Sequence, residues 1–111
     1  MYKPWLKRNF ENRTEFIMPV VYIIKHLHKD YVAKVSGKGM DKNFERWQSR
    51  KERRILMLLD GGLVPLSFDP ISLELSPSEE KFYITDGTSR LRAFYKRKIP
   101  KIRISLGYAY K

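Results

Sequence analysis

The chain has 111 residues, room for one domain with its own core, and 42% of them are hydrophobic. It contains no cysteine and two histidines, which excludes disulfides, thiolate metal sites and a cysteine nucleophile and argues against a zinc centre. The net charge is +11 and unevenly placed: residues 1–58 hold 14 Lys+Arg against 6 Asp+Glu, residues 59–86 hold 1 against 6, and residues 87–111 hold 8 against none. Two basic blocks around an acidic middle are the electrostatic footprint of a nucleic-acid binder; the same charge also suits a highly solvated surface with no particular partner. No apolar run approaches the ~18 residues of a membrane helix, and the first ten residues lack the apolar stretch of a signal peptide. The expectation is an intracellular, cytoplasmic protein that engages no membrane.

Residues 1–14 read as an irregular arm whose Trp5, Leu6 and Phe10 can dock on the body or on a second subunit. Glu15 to Lys25, with F-I-M-P-V-V-Y-I-I, is expected to be a strand, Pro19 lying at its start or on a sheet edge. His26 to Asp41 is either a short helix or a strand, followed by a loop with Lys38 between two glycines. A solvated hairpin tip explains that loop better than a phosphate contact does, and the Walker spacing is missing. His26 and His28 share a face if this is a strand, and fit structural roles better than paired ligation. Asn43 to Leu59 is predicted as the main helix, capped by Asp41 or Asn43. Phe44, Trp47, Ile55, Leu58 and Leu59 form its core stripe; Arg46, Arg50, Lys51, Arg53 and Arg54 form a solvated or phosphate-tracking face. Gly61-Gly62 ends the helix with a left-handed cap. Leu63 to Phe68 is predicted to open a strand, Asp69-Pro70 to turn, and Ile71 to Leu75 to form a half-exposed strand. A polar turn at residues 76–80 leads to a further strand, Lys81 to Thr85.

A tight turn at Asp86-Gly87 then opens a helix near Thr88. Strand, glycine turn and helix N-terminus make a phosphate-binding geometry, because the first helical turn presents unpaired N–H groups and the positive end of the macrodipole. Gly87 permits positive φ and close approach of an anion. Thr88 and Ser89 add hydroxyls, and Arg90 reaches back over the turn with a fork that suits phosphate. Thr88 or Ser89 as a plain N-cap is the competing reading. In this helix Leu91, Phe94 and Tyr95 are expected to face inward, and Arg92, Lys96 and Arg97 outward. Ile99-Pro100 ends it, Lys101 to Leu106 is a strand with one wet positive face, and residues 107–111 form a tail with Tyr108 and Tyr110. The fold class is α+β: a small mixed sheet of four to five strands packed with two main helices.

The stretch D-G-T-S-R-L-R-A resembles the central motif of the ParB/sulfiredoxin superfamily, whose members show G-E-R-R-x-x-A, G-C-H-R or D-G-H-x-R. Gly87, Arg90 and Ala93 fall on the shared positions, and Asp86 matches the D-G variants. Gly61-Gly62-Leu63-Val64-Pro65-Leu66 resembles the family's G-x-x-x-P-hydrophobic element, and the order of elements agrees over about residues 15–106. The resemblance implies a ParB/sulfiredoxin-like fold and a stand-alone ParB-like domain that binds nucleic acid or nucleotide phosphate. It also admits a metal-dependent ParB-like DNA nuclease or a nucleotide-dependent kinase of a small metabolite. The chain departs from the family in places. Thr88 stands where sulfiredoxins carry cysteine, which excludes their chemistry. Thr88-Ser89 stand where partition proteins carry Glu-Arg, and Val64 where they carry Gln or Arg.

The candidate sites follow. Gly87, Thr88, Ser89 and Arg90 hold phosphate or nucleotide. Arg46, Arg50, Arg53, Arg54, Arg92, Lys96 and Arg97 contact nucleic acid. Asp86 is the candidate catalytic group, holding Mg²⁺ or acting as a base, with Asp69, Glu79 and Glu80 more remote; its plain role is to fix the turn. No residue set has metal-ligand spacing. A nucleoside triphosphate or Mg²⁺ is the cofactor such a site would take, and a homodimer would bury the aromatic ends.

Overall fold

The computed structural model describes residues 13–36, 42–76 and 78–108, the side chains of Phe44 and Glu45 excepted. The expected arm up to residue 12, the Lys38 loop, the Asp41 cap, the Phe44 side chain and Tyr110 lie outside what is described. Strand β1 (Thr14–Pro19) is followed at once by helix α1 (Val20–Lys25), then by α2 (Lys29–Ser36) and α3 (Lys42–Asp60). Strands β2 (Ile71–Ser76) and β3 (Lys81–Asp86), helix α4 (Thr88–Lys96) and strand β4 (Lys101–Tyr108) complete the chain. The result is an α+β domain on a four-stranded mixed sheet in the order β1-β4-β2-β3. β4 runs antiparallel to β1 and parallel to β2, while β2 and β3 form an antiparallel hairpin.

The single strand expected over residues 15–25 divides at Pro19. Pro19 has no N–H to extend a ladder, and it caps α1 with φ −63° and ψ 136°. The N–H of Val20 turns to the carbonyl of Pro100 (3.0 Å). A uniformly apolar run hid the period: Val20 and Ile23 are buried, Val21 and Tyr22 exposed, which is helical spacing. Residues 26–36 combine both alternatives. Leu27 makes a parallel bridge to Phe82 and α2 follows. Leu63 to Phe68 is no strand; Pro65–Ser67 form one 3-10 turn, and Leu63, Val64 and Leu66 are exposed. The expected tail is shortened, since Gly107 and Tyr108 belong to β4 opposite Glu74 and Leu75.

The Gly61-Gly62 ending holds as a full αL cap. Gly62 has φ +100°, its N–H reaches the Leu59 carbonyl (3.1 Å), and the N–H of Leu63 reaches that of Leu58 (3.0 Å).

Helix α4 is the centre of the molecule. Its Leu91 and Phe94 meet Ile71, Leu73, Ile102 and Ile104 of the sheet and Ile23 of α1, all fully or almost fully buried. Burying each such side chain stabilises the fold by about 1.5–3 kcal/mol. Phe68 meets Phe94 edge-on at 5.3 Å. On its other side α4 carries α2 and α3. That seam corrects two expectations. The buried face of α3 is formed by Gln48 and Glu52, flanked by partly buried Ile55 and Leu59, while Trp47 and Leu58 are exposed. Arg92, expected to face solvent, is 4% exposed, because α4 is covered on that side and Glu52 waits there to pair with it.

The far face of the sheet also departs from a simple half-wet strand. Glu74 of β2 is 1% exposed and pairs with Arg13 at 2.5 Å. Arg13 also donates to Ser105 Oγ (2.8 Å) and to the carbonyls of Leu73 (2.8 Å) and Ser105 (2.5 Å).

At the β3 edge, Tyr83 stacks on His28 at 4.7 Å and donates its hydroxyl to Glu79 (2.5 Å). Burial, then the Glu79 hydrogen bond and charge, push the Tyr83 phenol well above the usual tyrosine range. Burial and Asp30 push Tyr31 up as well. A phenol that ionises more readily in the unfolded chain contributes stability below its ordinary pKa of ~10 and loses it as pH rises towards the folded value. Urea midpoints at pH 9 and pH 11 should therefore fall with pH, and Tyr83→Phe should show a shallower fall; equal slopes would refute the assignment.

Candidate functional site

Strand β3 ends at Asp86 and hands the chain to Gly87, which has φ +105° and ψ 21°. Only glycine sits there at ease: a Cβ would lie 3.0 Å from Arg90 Nη2 and 3.1 Å from Ile71 Cγ1. Gly87 itself is the N-cap of α4, no side chain caps the helix, and the Leu91 N–H closes the first turn on the Gly87 carbonyl (2.9 Å). The plain N-cap reading of Thr88 and Ser89 therefore fails. Ser89 Oγ instead donates to Gln48 Oε1 of α3, tying the start of α4 to the facing helix.

Just before the turn the ladder is irregular. Ser72 pairs with Asp86 but Leu73 pairs with Ile84, so Thr85 is extra on its strand. A bulge re-aims the side chains beside it. Thr85 donates to the Ser72 carbonyl (3.2 Å) and joins the wall of a cleft.

That cleft, about 600 Å³, lies between the Gly87 turn and α3. Thr85, Asp86, Gly87, Thr88, Ser89 and Arg90 line one side; Trp47, Gln48, Arg50, Lys51, Arg54 and Ile55 line the other. All four residues of the expected phosphate turn are in it, together with Asp86 and two of the seven expected nucleic-acid contacts, Arg50 and Arg54. Three cations, Arg50, Lys51 and Arg54, face Asp86, which has Arg90 beside it and is the one acid among the described residues of the wall. The positive end of α4 adds to the same field.

Arg90 is more constrained than its motif position implied. Its side chain is 16% exposed. Nη1 donates to the carbonyls of Asp69 and Pro70, and Nη2 lies 3.4 Å from Asp86 Oδ2. It thus fastens the turn to the loop before β2, and Asp86 is held by Arg90 rather than by its own backbone. The freer cations are on α3. Arg46, Arg50, Arg53 and Arg54 are exposed, and none pairs with a carboxylate among the described residues. Arg46 and Arg53 lie outside the cleft wall.

The remaining expected contacts are engaged elsewhere. Arg92 Nη1 donates to the Lys34 carbonyl (2.7 Å) and Nη2 lies 3.6 Å from Glu52, so it is a structural cation and not a surface contact. Lys96 is exposed but 3.1 Å from Glu52. Arg97 grips Asp60 with two 2.9 Å hydrogen bonds, which hold the Asp60 carboxyl below its usual range and raise the guanidinium.

Sequence reasoning missed Trp47, Gln48 and Thr85. Trp47 was placed in the core stripe because it is large and apolar; it is 47% exposed, with the Lys51 ammonium 3.8 Å from its ring centroid. The signal for it was the company it keeps, a tryptophan within four positions of Arg46, Arg50 and Lys51. No three His, Cys, Asp or Glu among the described residues are placed to share a metal ion, and no described helix is long and apolar enough to cross a membrane.

No family model, curated protein or solved structure matches the chain.

Proposed function

We propose that the cleft binds phosphate, carried by a nucleic acid or a nucleotide, and that the protein is a binding domain. One observation carries this reading: Arg50, Lys51 and Arg54 of α3 face the glycine turn and N-terminus of α4 across a single cavity. Exposed cations on one wall and backbone N–H groups on the other are what a phosphate requires. The overall net charge of +11 draws such ligands in. The motif positions support a ParB/sulfiredoxin-like fold, since Gly87, Arg90 and Ala93 run from the N-cap to the middle of the helix around which the domain is packed. Asp86, locked to Arg90, fits a part of the scaffold better than a nuclease base.

Binding of a labelled nucleotide triphosphate and a labelled oligonucleotide, each across a salt series, tests the proposal. A charge-assisted contact to phosphate is worth about 1.5–3 kcal/mol. Arg54→Ala is therefore expected to weaken binding by about tenfold or more with little effect on folding. Arg97→Ala removes the same charge from the long-range field, yet its guanidinium is paired with Asp60 outside the cleft, so it should cost little. Equal losses in the two variants would mean diffuse attraction and end the site assignment. Arg90→Ala should lose stability as well as affinity, because it unties two carbonyls.

A further inference from the structure

We infer that the cleft's ligand is a single-stranded nucleic acid, one of whose bases stacks on Trp47 while its backbone follows the arginines of α3. The inference rests on the phosphate reading above and goes further on two observations that a polymer explains together and a mononucleotide only in part.

The first is the extent of the cationic face. Arg50 and Arg54 line the cleft, and Arg46 and Arg53 widen the cationic face outside its wall, the four at helical spacing i, i+4, i+7, i+8. The four arginines run about 12 Å along α3. One phosphate in the cleft engages only part of that track. A polymer occupies all of it, and the track's charge, paired with no carboxylate among the described residues, complements a backbone that carries charge at every residue.

The second is Trp47. A half-exposed indole beside a cluster of arginines is a stacking platform, and base stacking on an aromatic ring needs an unpaired, splayed base. In a duplex the base faces are covered by their neighbours, so Trp47 would contribute nothing. The Lys51 ammonium over the ring is a removable occupant. A base that displaces it leaves a cation free to pair with the adjoining phosphate, so the exchange loses little. The cleft volume of about 600 Å³ accommodates one nucleotide beside the Gly87 turn.

The experiment uses the full chain with Trp5→Phe, which leaves Trp47 as the sole tryptophan. Its fluorescence is titrated with a twelve-residue oligothymidine, the matching duplex, inorganic triphosphate and polyglutamate. Strong quenching by the single strand, with affinity at least tenfold above the duplex, is expected. Trp47→Ala should weaken the single strand about tenfold, and Trp47→Phe should recover part of the loss. Arg46→Ala and Arg53→Ala should each lower the salt slope by about one for the oligonucleotide, with no effect on triphosphate. If triphosphate binds in an Arg54-dependent way but the duplex equals the single strand, or the single strand leaves Trp47 unquenched, the inference falls and the phosphate reading stands. If polyglutamate binds as tightly as the oligonucleotide, the face is an acidic-peptide site and the inference falls. If neither triphosphate nor any oligonucleotide binds, both fall together.

Discussion

Replacing Glu52 by alanine is expected to destabilise the protein by about 3–5 kcal/mol, the cost of stripping a buried charge of its opposite. Glu52 is 3% exposed and holds two cations at once, Arg92 at 3.6 Å and Lys96 at 3.1 Å. Lys96 can turn to water, being half exposed. Arg92 cannot: its side chain is enclosed between α3, α4 and the end of α2, where one of its nitrogens meets the Lys34 carbonyl. The measurement is a urea midpoint with an unchanged slope. Glu52→Leu combined with Arg92→Met should recover most of the loss, since two apolar residues need no pairing, and the excess over the two single changes reports their coupling. A loss below about 1 kcal/mol in Glu52→Ala would show that Arg92 finds water and that the seam is loose. Because α3 carries Arg50, Lys51 and Arg54, the same variant should also weaken phosphate binding, although Glu52 is not part of the cleft wall.

Glu74→Ala should cost a similar 3–5 kcal/mol with a different signature. Arg13 is held by Glu74 and by three acceptors on β2 and β4, so removing the carboxylate leaves a well-fixed guanidinium with its charge uncancelled. The packing is close enough that Gly107→Ala is the steric counterpart: its Cβ would lie 2.8 Å from Arg13 Nη1 and 2.8 Å from Glu74 Oε2. Both changes act on the sheet face turned away from α4. Ligand affinity per folded molecule should therefore survive in Glu74→Ala while falling in Glu52→Ala. Equal loss of affinity in the two variants would contradict the separation of the cleft from the far face.

These two carboxylates also show where the sequence could be read and where it could not. Features set by neighbours in the chain were legible. The β2–β3 hairpin follows from an alternating run and a β-rich run on either side of a polar turn, the end of α3 from Gly61-Gly62, and the glycine turn before α4 from Asp86-Gly87. Features set by distant partners were not. Glu74 looks like the wet position of an alternating strand until Arg13 is laid over it. Gln48 and Glu52 look like the solvent side of α3 until Arg92 and Ser89 face them. Trp47 was misplaced by the same logic in reverse: size argued for the core, while a polar seam had already taken the buried positions. The helix at residues 20–25 was lost for another reason, since an apolar run carries no period. Arg90 was read correctly as a member of the turn but not as its fastening, because a carbonyl partner leaves no mark in the side-chain sequence.

The strand order β1-β4-β2-β3 has a consequence for how the molecule is assembled. Of these four strands the one latest in the chain, β4, lies inside the sheet, between β1 and β2. Arg13 and Ser105, which meet beside that junction, are 92 positions apart. Until β4 leaves the ribosome, the β2–β3 hairpin shows a bare hydrogen-bonding edge and β1 has no strand to join. A long closure of this kind slows folding, and an uncovered edge invites pairing between chains. A nascent chain stopped before Lys101 would therefore hold its cleft residues Gly87 to Arg90 but not the sheet that seats them, and its exposed edge makes it the form most prone to aggregate.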